Sequence, residues 1–410
     1  MNPVPEKLED VLISCLSSKG GPDADFLSSL TSDDWDHLLD YASMQRIVPM
    51  LWHRLKQKDL RNLVPETARA LMEKASRHNA MRNLMLAGEM HLLLKELEKE
   101  SISLIGLKGI VMASAVYENP GLREMNDIDV MVRPEHLERT AAILGDLGYR
   151  PMHDYSVDLV LKNALHLPRF VKKNGAQIEV HWNIIKPDTP QSIDPDELWA
   201  RSMPVRIAGH DALMLSWEDM LLHLCVHTSY MHRFVFGLRP FCDIAAFVDQ
   251  AGPALNWDTL AKRSQYLNWG KGVYLALLLA TDLAGARIPE DILNTMKPAD
   301  MSDSIFRTAR RQILTDKKMA NDVPVAFASI LEASITEKAR IFLQRIFLGR
   351  EKIALMYGVS PESFKIYLCY FRRLFDMVRR HKEMLRRYRG GENDVLDLVG
   401  RTNTIAEWMG

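Results

Sequence analysis

Disulfide chemistry, a membrane span and a field of one charge sign are all missing from this chain of 410 residues. Its four cysteines, Cys15, Cys225, Cys242 and Cys369, include no CxxC pair. They read as reduced, buried thiols rather than as a disulfide scaffold. Lys and Arg number 52 against 53 Asp and Glu, a net charge of -1. No global basic field is available to hold nucleic acid, and only a local patch remains open. The most apolar stretch, residues 273–286 (VYLALLLATDLAGA), carries Asp282 and is too short to span a bilayer. The opening MNPVPEKLED is acidic and has no apolar run, so a cytoplasmic protein without a secretory signal is expected. A composition of 47% hydrophobic and 26% charged residues is that of a globular protein and excludes disordered or collagen-like chains.

At ~150 residues per domain, the length predicts two to three domains. Residues 1–98 read as helical. Trp35, Leu38, Leu39 and Ala42 keep helical spacing behind an N-cap at Ser32, and a longer helix runs from residue 65 to about 99. The pattern changes at residues 101–108 (SISLIGLK), a strand entering a glycine turn, and residues 127–132 (DIDVMV) form a second strand. Pro134 opens a helix through Leu137, Ala141, Leu144 and Leu147 that stops at Gly148. Residues 167–173 and 176–182 flank Asn174-Gly175, whose positive φ angles suit a type I′ hairpin turn. From about residue 195 the chain returns mostly to helix. The expectation is an α+β chain: an N-terminal helical region (1–98), an α/β core with a small mixed sheet (99–190) and a C-terminal helical region (191–410).

Asp127 and Asp129 stand two residues apart on a strand, so both carboxylates share one face with Cα atoms roughly 6–7 Å apart. Ile128, Val130 and Val132 take the other face, toward the core. At an effective dielectric of 20, two carboxylates ~6 Å apart repel by ~3 kcal/mol. A counter-ion is expected, and hard oxygens suit Mg²⁺. Without that ion, Asp129→Asn is expected to be as stable as the parent or slightly more so. Glu179 and His181, in QIEVHW, share the polar side of the later strand. If the two strands are neighbours, Glu179 joins the aspartates, and three carboxylates can hold two divalent ions across a triphosphate. Upstream, Gly106-Leu107-Lys108-Gly109 ends a strand and precedes an apolar helix, a setting in which backbone N–H groups and the Lys108 charge can take phosphate.

These residues carry a resemblance. Leu107-Lys108-Gly109, Arg123-x-x-x-Asp127-Ile128-Asp129 and Ile178-Glu179-Val180-His181-Trp182 resemble a bacterial family described as uncharacterised nucleotidyltransferases, within the DNA polymerase β-type superfamily. The motif-bearing part covers roughly residues 100–185. His223, His227 and His232 with Arg239 and Asp243 extend the likeness less specifically. Some members of the family sit beside peptide-modification genes, such as those for lasso peptides.

The resemblance implies a minimal nucleotidyltransferase fold, bound Mg²⁺ or Mn²⁺ and a nucleoside triphosphate. Asp127, Asp129 and Glu179 would be catalytic metal ligands, with Glu179 as the base for an acceptor hydroxyl. Lys108, Gly109 and Arg123 would contact nucleotide or phosphate, and the acceptor would be a peptide, sugar or small molecule. Lys108-Gly109 stands where the superfamily usually has Gly-Gly or Gly-Ser, and the gap from Gly109 to Asp127 is longer than usual. Transfer of a sugar phosphate is therefore a related expectation. A non-catalytic nucleotide-binding or antitoxin-like module on the same fold is the alternative.

Other positions have plainer readings. Arg123 can pair with Glu124 or Asp127 instead of clamping phosphate, and His181 can orient Glu179. His166 and Arg169 precede the hairpin and could face the same cleft. Asp219, His223 and His227 share one helix face. With no HExxH and no CxxC, they read as buried, hydrogen-bonded histidines rather than a zinc site, with an acceptor pocket lined by His181, His223 and His227 as the runner-up. Residues 371–389 (FRRLFDMVRRHKEMLRRYR) form a basic amphipathic helix. It is expected to dock by Phe371, Leu374, Phe375, Val378, Leu385 and Tyr388, with contact to an anionic membrane surface or nucleic acid as the sharper reading.

Overall fold

Alternating apolar and polar residues build the centre of the molecule. Ile128, Val130, Ile178 and Val180 are fully buried on one side of two neighbouring strands, and Asp129 and Glu179 occupy the other. The computed structural model describes residues 6–17, 21–22, 24–187, 189–315, 340, 347–389 and 393–410. Seven strands form one mixed sheet: β1 (Ile105–Gly106), β2 (Ile128–Met131), β3 (Arg150–Pro151), β4 (Phe170–Val171), β5 (Gln177–His181), β6 (Met203–Ile207) and β7 (His210–Met214). Their order is β3-β4-β5-β2-β1-β7-β6. β2 is parallel to β5 and antiparallel to β1, and β1 is parallel to β7. The architecture is α+β, a sheet set among helices.

The helix Glu66–Lys99 braces this sheet. Its Asn79 and Asn83 amides donate to the carbonyls of Gly121 and of Pro120 and Arg123. Its buried Glu89 accepts from Tyr149 Oη at 2.9 Å, Lys172 Nζ at 2.9 Å and Asn174 Nδ2 at 2.6 Å. One helix thus fixes both the loop before β2 and the β4–β5 hairpin. A single apolar cluster reaches from Leu12 through Val130 and Val180 to Leu277 and Ile313.

Several local expectations shift. The helix Ser32–Met44 is capped one residue earlier, by Thr31. The Thr31 hydroxyl accepts from the Asp34 N–H while the Asp34 carboxylate accepts from the Thr31 N–H. The hairpin at Asn174-Gly175 exists, but only Gly175 has positive φ (+81°). Lys172 N–H donates to Ala176 C=O and Gly175 N–H to Lys172 C=O, so the connection is a three-residue loop with a bulge glycine. Two successive positive φ angles occur instead at Ala208 (50°) and Gly209 (85°), turning β6 into β7, a hairpin the sequence pattern did not single out.

The basic helix Lys365–Arg389 packs by Ile366 and Cys369, which are buried, while Phe371 and Phe375 are 71% and 65% exposed. Of the residues expected to dock it, Phe371 and Phe375 are therefore corrected to exposed, while Leu374 is half-buried. The side chains of Val378, Leu385 and Tyr388 lie outside the described residues. Among the described residues, no helix is long and apolar enough to cross a membrane.

Candidate active site

Strand register brings the acidic residues together. In the parallel β2–β5 pair, Asp129 lies directly opposite Glu179 and Met131 opposite His181. Side chains alternate along a strand, so Asp129, Glu179 and His181 emerge on the same face. One ligand atom from each lies within 4.8 Å of the others. His181 is buried, and its Nε2–H donates to Asp129 Oδ1 at 3.2 Å while standing 3.7 Å from Glu179 Oε2. Asp127 sits immediately before β2, outside that group, with Oδ2 3.8 Å from Arg169 Nη2.

The antiparallel β1–β2 pair delivers Lys108. Leu107 N–H donates to Asp129 C=O at 3.0 Å, and the next residue places its ammonium 3.5 Å from Asp129 Oδ1. Lys108 has φ +37°, a left-handed backbone that non-glycine residues adopt at a cost and that clusters at functional sites. The helical turn Lys108–Val111 continues as the π-helical turn Met112–Val116, so the expected helix after the glycine turn is present but widened.

Gly109 has no room for a side chain: a Cβ there would meet Arg123 Nη1 at 2.6 Å and Met125 Sδ at 3.3 Å. Arg123 itself is buried. Its Nε donates to both Asp243 carboxylate oxygens at 3.0 Å, its Nη2 stands 3.0 Å from Oδ2, and Tyr117 Oη donates to Asp243 Oδ1 at 2.9 Å. Arg123 thus backs the Lys108–Gly109 turn from inside the protein, paired with Asp243 rather than with Glu124 or Asp127.

Arg169 and His166 do reach the carboxylates. Arg169 donates to Glu179 Oε1 through Nε at 2.8 Å and Nη2 at 2.5 Å, and His166 Nε2 lies 4.0 Å from Glu179 Oε2. The surroundings push the acids apart. Burial would raise Asp129, but Lys108 and the His181 hydrogen bond outweigh it and hold the carboxyl well below its ordinary range. Burial opposes ionisation of Glu179 too, yet His181, His166 and Arg169 bring it down to about 2. Asp127 moves up, through burial and repulsion from Asp129 and Glu179. His181 is raised because its carboxylate hydrogen bonds overcome its burial.

Three further histidines stand around this centre, on the helix Trp217–Val226 and the turns after it. His223 is buried, and neither ring nitrogen has a hydrogen-bond partner, unlike the hydrogen-bonded histidine the sequence suggests. Its ring centroid is 6.2 Å from that of His227, which packs 4.5 Å from His232. Asp219 does not join them, because its carboxylate is taken by Arg263 and Arg201. The Lys108 charge acts to lower His166, His181, His223, His227 and His232 alike.

Burial, then the Lys108 and His181 charges, hold His223 well below its ordinary 6.5. It is neutral when folded and protonates near 6.5 when unfolded. The unfolded chain therefore binds more protons below pH 6.5, and His223 costs stability as pH falls from there. His223→Leu should flatten the loss of stability between pH 6.5 and 5 by about 1 kcal/mol per pH unit on average, approaching the limiting ~1.4 at the acid end, measured by urea unfolding across that range. An unchanged slope would show that His223 is already charged in the folded protein.

The sequence was compared with known proteins and with family models. A search of curated proteins gives no match. The family model described as "Uncharacterised nucleotidyltransferase" matches residues 31–285, more than half of the chain and all of the site just described. The chain belongs to this nucleotidyltransferase family.

Proposed function

We propose that the protein transfers a nucleotidyl group from a nucleoside triphosphate to an acceptor hydroxyl, with Mg²⁺ or Mn²⁺ held by Asp129, Glu179 and His181. The observation that carries this reading is the facing pair Asp129 and Glu179 with His181 beside them, donor atoms within 4.8 Å of one another. Two carboxylates form a hard donor set that fits a divalent cation, with the His181 imidazole as a third donor once the cation displaces its Nε2 proton, and Asp127 at its edge is a further carboxylate available to it. When bound, such an ion neutralises triphosphate charge and polarises the reacting phosphorus.

The chain's own groups supply the rest. A Glu179 carboxyl at about 2 is a permanent anion, suited to holding charge rather than taking a proton near neutrality. Asp127 stands at the edge of the group, its carboxyl raised by burial and by repulsion from Asp129 and Glu179, a repulsion that a bound cation would relieve. Lys108 balances Asp129 and adds positive charge for the donor phosphates. Arg123, held by Asp243, fixes the turn that carries Lys108 and Gly109. His223 and His227 form the wall of the acceptor pocket, where the unpartnered nitrogens of His223 are free to bond a hydroxyl-bearing acceptor. The sheet is of the polymerase β type in this reading. Peptide or small-molecule modification in the cytoplasm is its setting, and a sugar is the other acceptor class.

The test is purified protein with labelled nucleoside triphosphates, Mg²⁺ or Mn²⁺ and candidate acceptors. Pyrophosphate release that depends on an acceptor supports the reading, whereas binding without release means a non-catalytic or antitoxin-like module. Glu179→Gln should lower turnover by about 10²–10³-fold, the scale for losing one electrostatic group at a reacting centre. A loss below about tenfold would leave Glu179 as a hairpin residue only.

A further inference from the structure

Arg169 is the most exposed of the cations at the site. Its side chain is 40% accessible, against 13% for Lys108. Its backbone is fixed, since Met152 N–H donates to Arg169 C=O at 2.9 Å. Its guanidinium is spread over three side chains: Glu179 Oε1 at 2.8 and 2.5 Å, Gln177 Oε1 at 3.1 Å and, 3.8 Å away, Asp127 Oδ2. Glu179 is also one of the three donors grouped for a cation. A divalent ion there and the guanidinium draw on the same carboxylate, and like charges side by side repel. A guanidinium is a planar fork that matches phosphate oxygens two at a time, and its stem is long enough to turn from one anion to another.

We infer that Arg169 is a triphosphate-binding arm, resting on Glu179 and Asp127 and exchanging them for phosphate oxygens of the donor nucleotide. The inference rests on the proposed nucleotidyl-transfer site and adds a residue to it. It has a signature that a purely structural arginine lacks. Removing the guanidinium should free Glu179 for the metal while taking a contact from the triphosphate, so the two affinities move in opposite directions.

The experiment is calorimetric titration of the full chain, parent and Arg169→Gln, first with MnCl₂ alone and then with inorganic tripolyphosphate carrying equimolar Mn²⁺. Affinity for Mn²⁺ alone should rise about tenfold in the variant, and affinity for Mn²⁺-tripolyphosphate should fall about tenfold, the scale of one charge-assisted contact. Arg169→Lys, which keeps the charge but not the fork, should bind Mn²⁺ as the parent does and tripolyphosphate with intermediate affinity. If both affinities fall together, or neither moves, in a variant that melts like the parent, Arg169 is a buttress of Glu179 and the inference fails while the site stands. If Arg169→Gln does not fold, the lysine variant decides: tripolyphosphate affinity equal to the parent's overturns the inference. A parent that binds no Mn²⁺ at all removes the site reading, and this inference with it.

Discussion

Asp129→Asn is expected to abolish transfer and to lower folding stability by about 3 kcal/mol, the lower end of the range for removing one partner of a buried ion pair. The sequence alone argues the reverse, since two aspartates ~6 Å apart repel by ~3 kcal/mol and losing one charge would relieve that strain. The structure changes the sign by showing what stands opposite. Lys108 Nζ is 3.5 Å from Asp129 Oδ1, and His181 Nε2–H donates to the same oxygen at 3.2 Å. The same Coulomb arithmetic at 3.5 Å gives an attraction of about 5 kcal/mol for the lysine, which together with the His181 hydrogen bond offsets the repulsion from Asp127 and Glu179. An asparagine keeps the shape of the strand but leaves the nearly buried Lys108 without its counter-charge. Urea unfolding of parent and variant without added metal reads the difference. A change below about 0.5 kcal/mol would mean that the Lys108–Asp129 pair is solvated and contributes little.

Asp243→Ala should be at least as damaging to the fold, by about 3–5 kcal/mol. Asp243 is 2% exposed and accepts from Arg123 and Tyr117, and no other carboxylate is paired with Arg123 among the described residues. Alanine leaves a buried guanidinium unpaired, at a cost comparable to a large part of an ordinary domain's 5–15 kcal/mol of stability. The effect should also reach the site, because Arg123 packs against Gly109 where no Cβ fits. Asp243→Asn, which keeps the shape and one acceptor oxygen, should cost less. Equal stability of the alanine variant and the parent would show that Arg123 finds water or another partner once released.

The sequence made the acidic face legible because a strand has period two: Asp129 and Glu179 separate cleanly from Ile128, Val130, Ile178 and Val180, whereas Asp127 falls just before the strand. It also made the long helix and the place of the β4–β5 hairpin legible. What it could not give was pairing across distance. That Asp129 lies opposite Glu179 depends on strand order, and no local pattern specifies it. Arg123 reads equally well as a phosphate clamp or as a local ion pair, and only its partner 120 residues away decides the matter. Arg169 and His166 only precede a hairpin in the sequence, and they reach Glu179 because β4 and β5 bring them back over it. The β6–β7 hairpin escaped because its turn is Ala208-Gly209, a dipeptide that carries less turn signal than Asn-Gly. The apolar positions of the helix Lys365–Arg389 mark an amphipathic helix, but its docked side is set by neighbours such as Ile353 and Ala354, which gather Ile366 and Cys369.

The measurement that bears most directly on the central claim is the thermal melting of the full chain with Mg²⁺ or Mn²⁺ alone, nucleoside triphosphate alone, and both together. A ligand that binds the folded chain at about 100 times its dissociation constant stabilises it by about 2.7 kcal/mol. The account predicts a clear rise in melting temperature with metal and triphosphate together, and loss of that rise in Asp129→Asn. A parent whose melting temperature is unmoved by any triphosphate with either ion would contradict the assignment of Asp129, Glu179 and His181 as a metal–nucleotide site.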